Sequence, residues 1–184
     1  EQAAALGALI TDKTRSALLG IHPIHELRVS PHRRTLQTMR PTATGLSMQP
    51  RVCTSLFEAG GIFESDPTYT SFVAKGGMPR TEMHKEFPTY VLPEDVDESG
   101  WYKGAPLGRE TDDECRLRVA TVASSLRAEA KALTESRQVV LVAHYDFLCG
   151  LLDALLLPAG AQGHPASGRF LHWRHYNTGI TAID

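Results

Sequence analysis

The segment Val139-Val-Leu-Val-Ala-His144 constrains this chain most. A run of apolar, mostly β-branched residues ends on a histidine, and a helix-like pattern, Tyr145-Asp-Phe-Leu148, starts at once. In an open parallel sheet, ligands sit outside the carboxyl ends of the strands, where the next helix begins. A histidine at that junction is placed for chemistry, although a lone one more often fills space beneath the helix. Three further segments stand beside short strand patterns. Ser30-Pro31-His32-Arg33-Arg34-Thr35-Leu36-Gln37-Thr38 follows one, Leu56-Phe57-Glu58 follows another, and Asn177-Thr178-Gly179-Ile180-Thr181 leads into a last one.

Periodicity places these segments in an alternating order. Residues 1 to about 19 read as a helix, with Ala4, Leu6, Leu9 and Ile10 at helical spacing. A connector broken by Pro23 leads to a strand over Glu26–Ser30, and Pro31 suits the start of a helix reaching about Gly45. Arg51–Ser55 reads as an edge strand. Thr111 followed by Glu114 is a capping signature for a helix running to about Glu135. Then come the strand to Ala143, a helix from about Asp146 to Leu157, a Gly/Pro-rich loop to Gly168, and strand patterns over Arg169–His175 and Thr178–Asp184. Strands alternating with helices predict an α/β protein, a three-layer α/β/α sandwich around a mostly parallel sheet. At 184 residues, one domain over 1–184 is expected.

Regular periodicity fails from about 59 to 108. That stretch holds five prolines, Gly-Gly twice and the aromatics Phe72, Phe87, Tyr90, Trp101 and Tyr102, with one short helix expected over Arg80–Phe87. Fifty residues are too many for a simple connection, so it reads as an insertion over the active edge of the sheet. Its eight acids against Lys75, Arg80, Lys85 and Lys103 leave a local net charge of −4.

The bulk composition excludes several function classes. A net charge of −2 offers no general attraction to nucleic acid or anionic membranes. No run approaches the ~18 apolar residues of a membrane-spanning helix, since Phe147–Leu157 is interrupted by Gly150 and Asp153. Cys53, Cys115 and Cys149 are odd in number and widely spaced. They read as buried small hydrophobes in a reducing intracellular compartment. Apart from His22 and His25, no histidines stand at metal-ligand spacing, and neither a metal nor another cofactor is expected.

In their order, the four segments resemble the histidine phosphatase superfamily, also called phosphoglycerate-mutase-like, whose members carry Ser-Pro-Leu-x-Arg-Ala-x-Gln-Thr, Leu-x-Glu, Val-x-His and Asn-Thr-x-Ile-Thr. The resemblance covers nearly the whole chain. It implies a phosphoglycerate-mutase-like fold and a metal-independent phosphomonoesterase acting on a small phosphorylated substrate through phosphohistidine. Arg34 matches the phosphate-gripping arginine, while Arg33 falls at a variable, solvated position. An arginine suits that task because its planar guanidinium grips two oxygens and keeps its charge. His144 matches the second histidine, which as an imidazolium donates to the transferring phosphoryl group. Glu58 matches the general acid, with Glu64 as the nearby decoy. Asn177 and Thr178 match the residues that shape the pocket floor.

Two departures stand out. Tyr145 follows His144 where most relatives carry glycine or another small residue. The superfamily's nucleophile lies in an Arg-His-Gly at the end of an interior strand, and that triplet does not occur in these 184 residues. Deleting an interior strand would leave backbone groups unpaired at ~1–3 kcal/mol each, more than a domain stable by ~5–15 kcal/mol tolerates. The strand is therefore expected upstream of Glu1, from another polypeptide, or replaced in a rebuilt sheet. The first is the simplest, because Glu1 opens inside a helical pattern without an initiator Met. The alternative to an enzyme is a pseudoenzyme that keeps the phosphate pocket and serves as a binding module or subunit.

Overall fold

A computed structural model describes residues 1–20, 23–157, 173 and 176–183. Its elements are α1 (Gln2–Thr11), α2 (Lys13–Leu18), β1 (Ile24–Val29), α3 (Arg33–Leu46), β2 (Arg51–Val52), β3 (Phe63–Ser65), β4 (Phe72–Ala74), α4 (Arg80–Glu86), α5 (Asp112–Ala132), β5 (Gln138–Val142) and α6 (Tyr145–Leu156). Among the described residues the main sheet has the order β2-β1-β5 and is parallel throughout. β3 and β4 form a separate antiparallel hairpin. Helices cover both faces, as an α/β sandwich requires.

Alternation along the strands sorts the side chains between two cores. Leu27 and Val29 of β1 join Leu36, Met39 and Ala43 of α3 on one face, with Val140 and Val142 packed against them. On the other face Leu141 and Ala143 meet Cys115, Val119 and Ala123 of α5 and Phe147 and Leu151 of α6. α1 lies close on α3, because Gly7 meets Pro41. A Cβ on Gly7 would stand 2.7 Å from the Pro41 Cβ, so any larger residue would push the two helices apart. Every residue of β5 is only half-buried. Its ladder runs along one side, to β1, among the described residues.

Several local expectations need correction. The first helix is two helices, because Asp12 leaves the helical conformation and accepts hydrogen bonds from Thr14 N and Arg15 N, capping α2. The edge strand over Arg51–Ser55 shrinks to two residues, since Thr54–Leu56 coils into a 3₁₀ turn that swings Glu58 toward α6. Residues 178–183 form no strand. Thr178 sits in a left-handed turn at φ 58° closed by Gly179 N donating to Tyr176 O, and among the described residues no strand pairs with this segment. The strand expected over Arg169–His175 lies outside the described residues, apart from Trp173.

The capping box at Thr111 forms in both directions, with Thr111 and Glu114 exchanging bonds between side chain and backbone. The insertion folds largely on itself and on the first core. Phe87, Tyr90, Trp101 and Tyr102 are buried there, while Phe72 packs edge-on against Phe63 and Tyr69. Cys115 and Cys149 are buried, Cys53 is half-buried, and all three are free thiols. No helix of the described residues is long and apolar enough to cross a membrane.

Candidate active site

The ends of β1 and β5 lie side by side, so the residues that follow each strand converge. Ser30 N donates to Val142 O, extending the ladder one step beyond the strands. The Ser30 hydroxyl and His144 Nε2 are 2.7 Å apart. Arg34, in the first turn of α3, donates to His144 Nδ1 from Nε at 3.2 Å and from Nη2 at 2.8 Å. A guanidinium only donates, so Nδ1 carries no proton, and the ring hydrogen on Nε2 goes to Ser30 Oγ. Burial, joined by the charges of His32, Arg34 and Arg118, pushes the His144 imidazole down to about 2. In this arrangement His144 is neutral and fully hydrogen-bonded.

His32 borders the same space. Its ring stands edge-on between Trp101 at 4.7 Å and His144 at 4.5 Å. Its buried Nε2 has no hydrogen-bond partner among the described residues. Burial, with the charges of Arg34 and Arg118, lowers its pKa to about 4. A cavity of about 570 Å³ opens beside it, lined by His32, Arg34 and Gln37 from the strand-end segment and by Ile62, Gly77, Met78, Glu82 and Trp101 from the insertion. Gly77 sits at φ +77° directly under Trp101, and a Cβ there would overlap the indole.

Glu58 enters from the other side. One carboxylate oxygen accepts from its neighbour Ala59 N at 2.9 Å and from Phe147 N, in the first turn of α6, at 3.1 Å. Those bonds favour the charged form, yet burial outweighs them and raises the pKa of the carboxyl. A half-buried carboxyl held toward protonation is suited to donating a proton. Glu64, the decoy, lies on the surface paired with Lys75 at 2.9 Å.

The structure thus brings Arg34, His144 and Glu58 together. It does not join Asn177 and Thr178 to them. Asn177 is exposed, Thr178 donates to Asn177 O, and neither bonds His144 among the described residues. Arg33 is exposed but not simply solvated, since Glu82 and Glu86 both pair with it. Tyr145 is 40% exposed at the first position of α6. Among the described residues no three His, Cys, Asp or Glu side chains are grouped to hold a metal ion.

Ser30, His32 and Trp101 are parts of the site that sequence reasoning passed over. Ser30 and His32 were visible inside the strand-end segment, where His32 replaces the leucine of the resembled pattern. Trp101 left no comparable local signal, because it reaches the site only through the fold of the insertion.

Comparison with known proteins adds the following. The family model for the histidine phosphatase superfamily (branch 1) matches residues 1–184. No curated protein matches at a significant level. Among solved structures, a mycobacterial glucosyl-3-phosphoglycerate phosphatase in complex with VO3 is similar at 21% identity, over 85% of this chain and 66% of that one, with a TM-score of 0.48. A protein described as mycobacterial hydrolase 1 shares 22% identity over 85% of this chain and 66% of its own, with a TM-score of 0.46. In both cases the chain spans slightly less than two thirds of the similar protein.

Proposed function

The chain belongs to the histidine phosphatase superfamily, branch 1, and from that premise we propose that it is a phosphomonoesterase acting through a phosphohistidine intermediate. The observation that carries this reading is the convergence of Arg34 and His144 at the strand ends, with Glu58 held at the start of α6. A phosphoryl group entering beside Arg34 competes with His144 Nδ1 for the guanidinium hydrogens. The dianion also favours protonation of the released imidazole, which then becomes a second donor to an equatorial oxygen. Glu58, already biased toward its protonated form, donates to the departing oxygen and afterwards accepts a proton from attacking water. The reaction needs no metal, because the arginine and the imidazolium supply the positive charge.

Phosphohistidine also needs a nucleophile. The Arg-His-Gly that carries it in relatives does not occur in these 184 residues. The alternative reading is a pseudoenzyme that binds phosphate and serves as a binding module or subunit. Hydrolysis of p-nitrophenyl phosphate in the presence of chelator separates the two. Turnover that survives the chelator supports the enzyme. No turnover across a panel of monoesters, together with stabilisation by phosphate, supports the binding module.

The cavity wall bears on the substrate. Ile62, Met78 and Trp101 offer an apolar surface, and the insertion around them carries a net charge of −4. A modestly charged or partly apolar monoester fits this better than a polyphosphorylated one. Comparable kcat/KM values for phytate and a simple monoester would refute the preference.

A further inference from the structure

We propose that Glu110 and Arg118 are positioning residues that clamp the Glu58 loop against the first turn of α6, an inference resting on Glu58 as the proton donor of the proposed reaction. Arg118 projects from α5 with its side chain only 13% exposed, and Glu110 is 6% exposed. Arg118 Nε and Nη2 donate to the two oxygens of Glu110, each at 2.7 Å. Arg118 Nη1 donates to Ser55 O at 2.8 Å and to Phe57 O at 3.0 Å. The guanidinium carbon lies 3.5 Å from the centre of the Phe57 ring. Glu110 in turn accepts from Gly60 N at 3.2 Å, and its own N–H donates to Gly60 O at 3.1 Å.

Three backbone groups on both sides of Glu58 are therefore held by one ion pair, and a fourth, Gly60 O, by the Glu110 backbone. Between them, Glu58 reaches across to Phe147 N. The loop is pinned to α5 by Arg118 and to α6 by Glu58 itself.

Arg118 also lies near enough to bias His32 and His144 electrostatically, so phosphate binding is the obvious competing role. Its hydrogen-bond inventory argues against that. A guanidinium has five N–H groups, and the contacts to Glu110, Ser55 O, Phe57 O and the Cys115 sulfur occupy all five. No donor remains for a substrate oxygen. Stability alone is a weak reason for the pair, because buried ion pairs are often no more stabilising than apolar residues of similar volume. Geometry is the better reason, since lysine has neither the planar fork nor the donor count to hold both carbonyls and the carboxylate.

The test uses Glu110→Gln and the double change Glu110→Gln with Arg118→Met, which leaves no orphaned charge. NMR titration follows the Glu58 side-chain carboxyl, and amide exchange follows Phe147 N–H. In the intact protein, burial raises the Glu58 pKa. Freeing the loop into water brings it down. Removing the Glu110 charge alone also lowers it, but the double change removes one charge of each sign, so a downward shift that persists in the double variant reports release of the loop into water. The clamp predicts a downward shift in both variants and exchange at Phe147 faster by about tenfold, with cooperative melting retained. An unchanged or raised Glu58 pKa with Phe147 still protected overturns it. If the double variant does not fold, exchange at Phe147 N–H in Glu110→Gln decides, and unchanged protection there overturns the clamp. Kinetics give a third arm, because a misplaced acid slows alkyl phosphates more than p-nitrophenyl phosphate, whose leaving group needs less protonation. Equal losses on both overturn the clamp's link to proton donation. Should the unaltered protein hydrolyse no monoester, the phosphatase reading fails, while titration and exchange still judge the clamp.

Discussion

Two regions meet at the cavity, and they are built in different ways. The strand-end region, carrying Ser30, Arg34 and His144, gets its geometry from neighbouring parallel strands. Once Val29 pairs with Val142, the residues beyond each strand must arrive side by side. The insertion's own ladder, the β3–β4 hairpin, does not reach Trp101. Trp101 reaches His32 only because Gly77 admits the indole and Tyr102 stacks edge-on against Phe57. The first region supplies charge and hydrogen bonds, and the second supplies wall. In the proposed reaction, chemistry falls on the part whose geometry the strand pairing sets, and selectivity on the part shaped by its own packing.

If that division holds, substitutions in the two regions should fail differently. The largest effect belongs to the strand-end side. Glu58→Gln should lower kcat on an alkyl phosphate by about 10²–10⁴-fold, the usual worth of a positioned acid, while the melting temperature barely moves. His144→Ala should give a loss of similar order. Either variant melting far below the parent would blur the division, because chemistry and fold would then share a residue.

Next is the wall. Trp101 is 4% exposed, and truncating a buried tryptophan to alanine costs about 3–5 kcal/mol. Trp101→Ala should therefore shift the urea midpoint strongly. Its effect on kcat for a small monoester should be minor, with KM for bulkier esters rising. A collapse of kcat at unchanged stability would place Trp101 in the chemistry instead.

Anion linkage separates two adjacent arginines. Phosphate or sulfate at a hundredfold excess over its Kd stabilises a folded protein by about 2.7 kcal/mol. Arg34→Ala and His144→Ala should each remove most of that, and Arg33→Ala should not, because Arg33 is turned toward Glu82 and Glu86. Thermal melts with and without the anion decide it.

The smallest expected effect is on acid stability. His32 and His144 are held near 4 and 2, against an ordinary value of 6.5. Below 6.5 the unfolded chain therefore binds protons that the folded one refuses, so stability falls as the pH drops from 6.5 toward those values. His32→Leu should flatten the slope between pH 6.5 and 4 in urea titrations. Sulfate, dianionic throughout that range, should flatten it too and should stabilise more at pH 5 than at pH 8. Parallel slopes for parent and variant would mean that His32 is wetter than its surroundings suggest.

The same division explains what the sequence made legible. The parallel α/β layering, the capping box at Thr111 and the positions of Arg34, Glu58 and His144 all follow from periodicity or from short ordered segments. The break at Asp12 was also local but ambiguous, since the apolar stripe continues past it and only the cap geometry interrupts the helix. The last strand was not legible, because residues 178–183 show an extended pattern and pair with no strand among the described residues. Arg118 and Glu110 escaped notice for a different reason. Eight residues apart, they look like an ordinary surface pair, and only the burial of both around the Glu58 loop gives them a role.

The edge-on contact between Trp101 and His32 has an optical consequence. The chain contains two tryptophans, and their surroundings differ. Trp173 donates its indole hydrogen to Asp153 on α6 at 2.7 Å, while Trp101 lines the cavity beside an imidazole. An imidazolium quenches indole emission by accepting an electron from the excited ring, and a neutral imidazole does so far less. The ionisation of His32 is thus written into the fluorescence of Trp101, with Trp173 as an internal reference. An anion that protonates His32 would therefore be seen by light, without a label and without turnover.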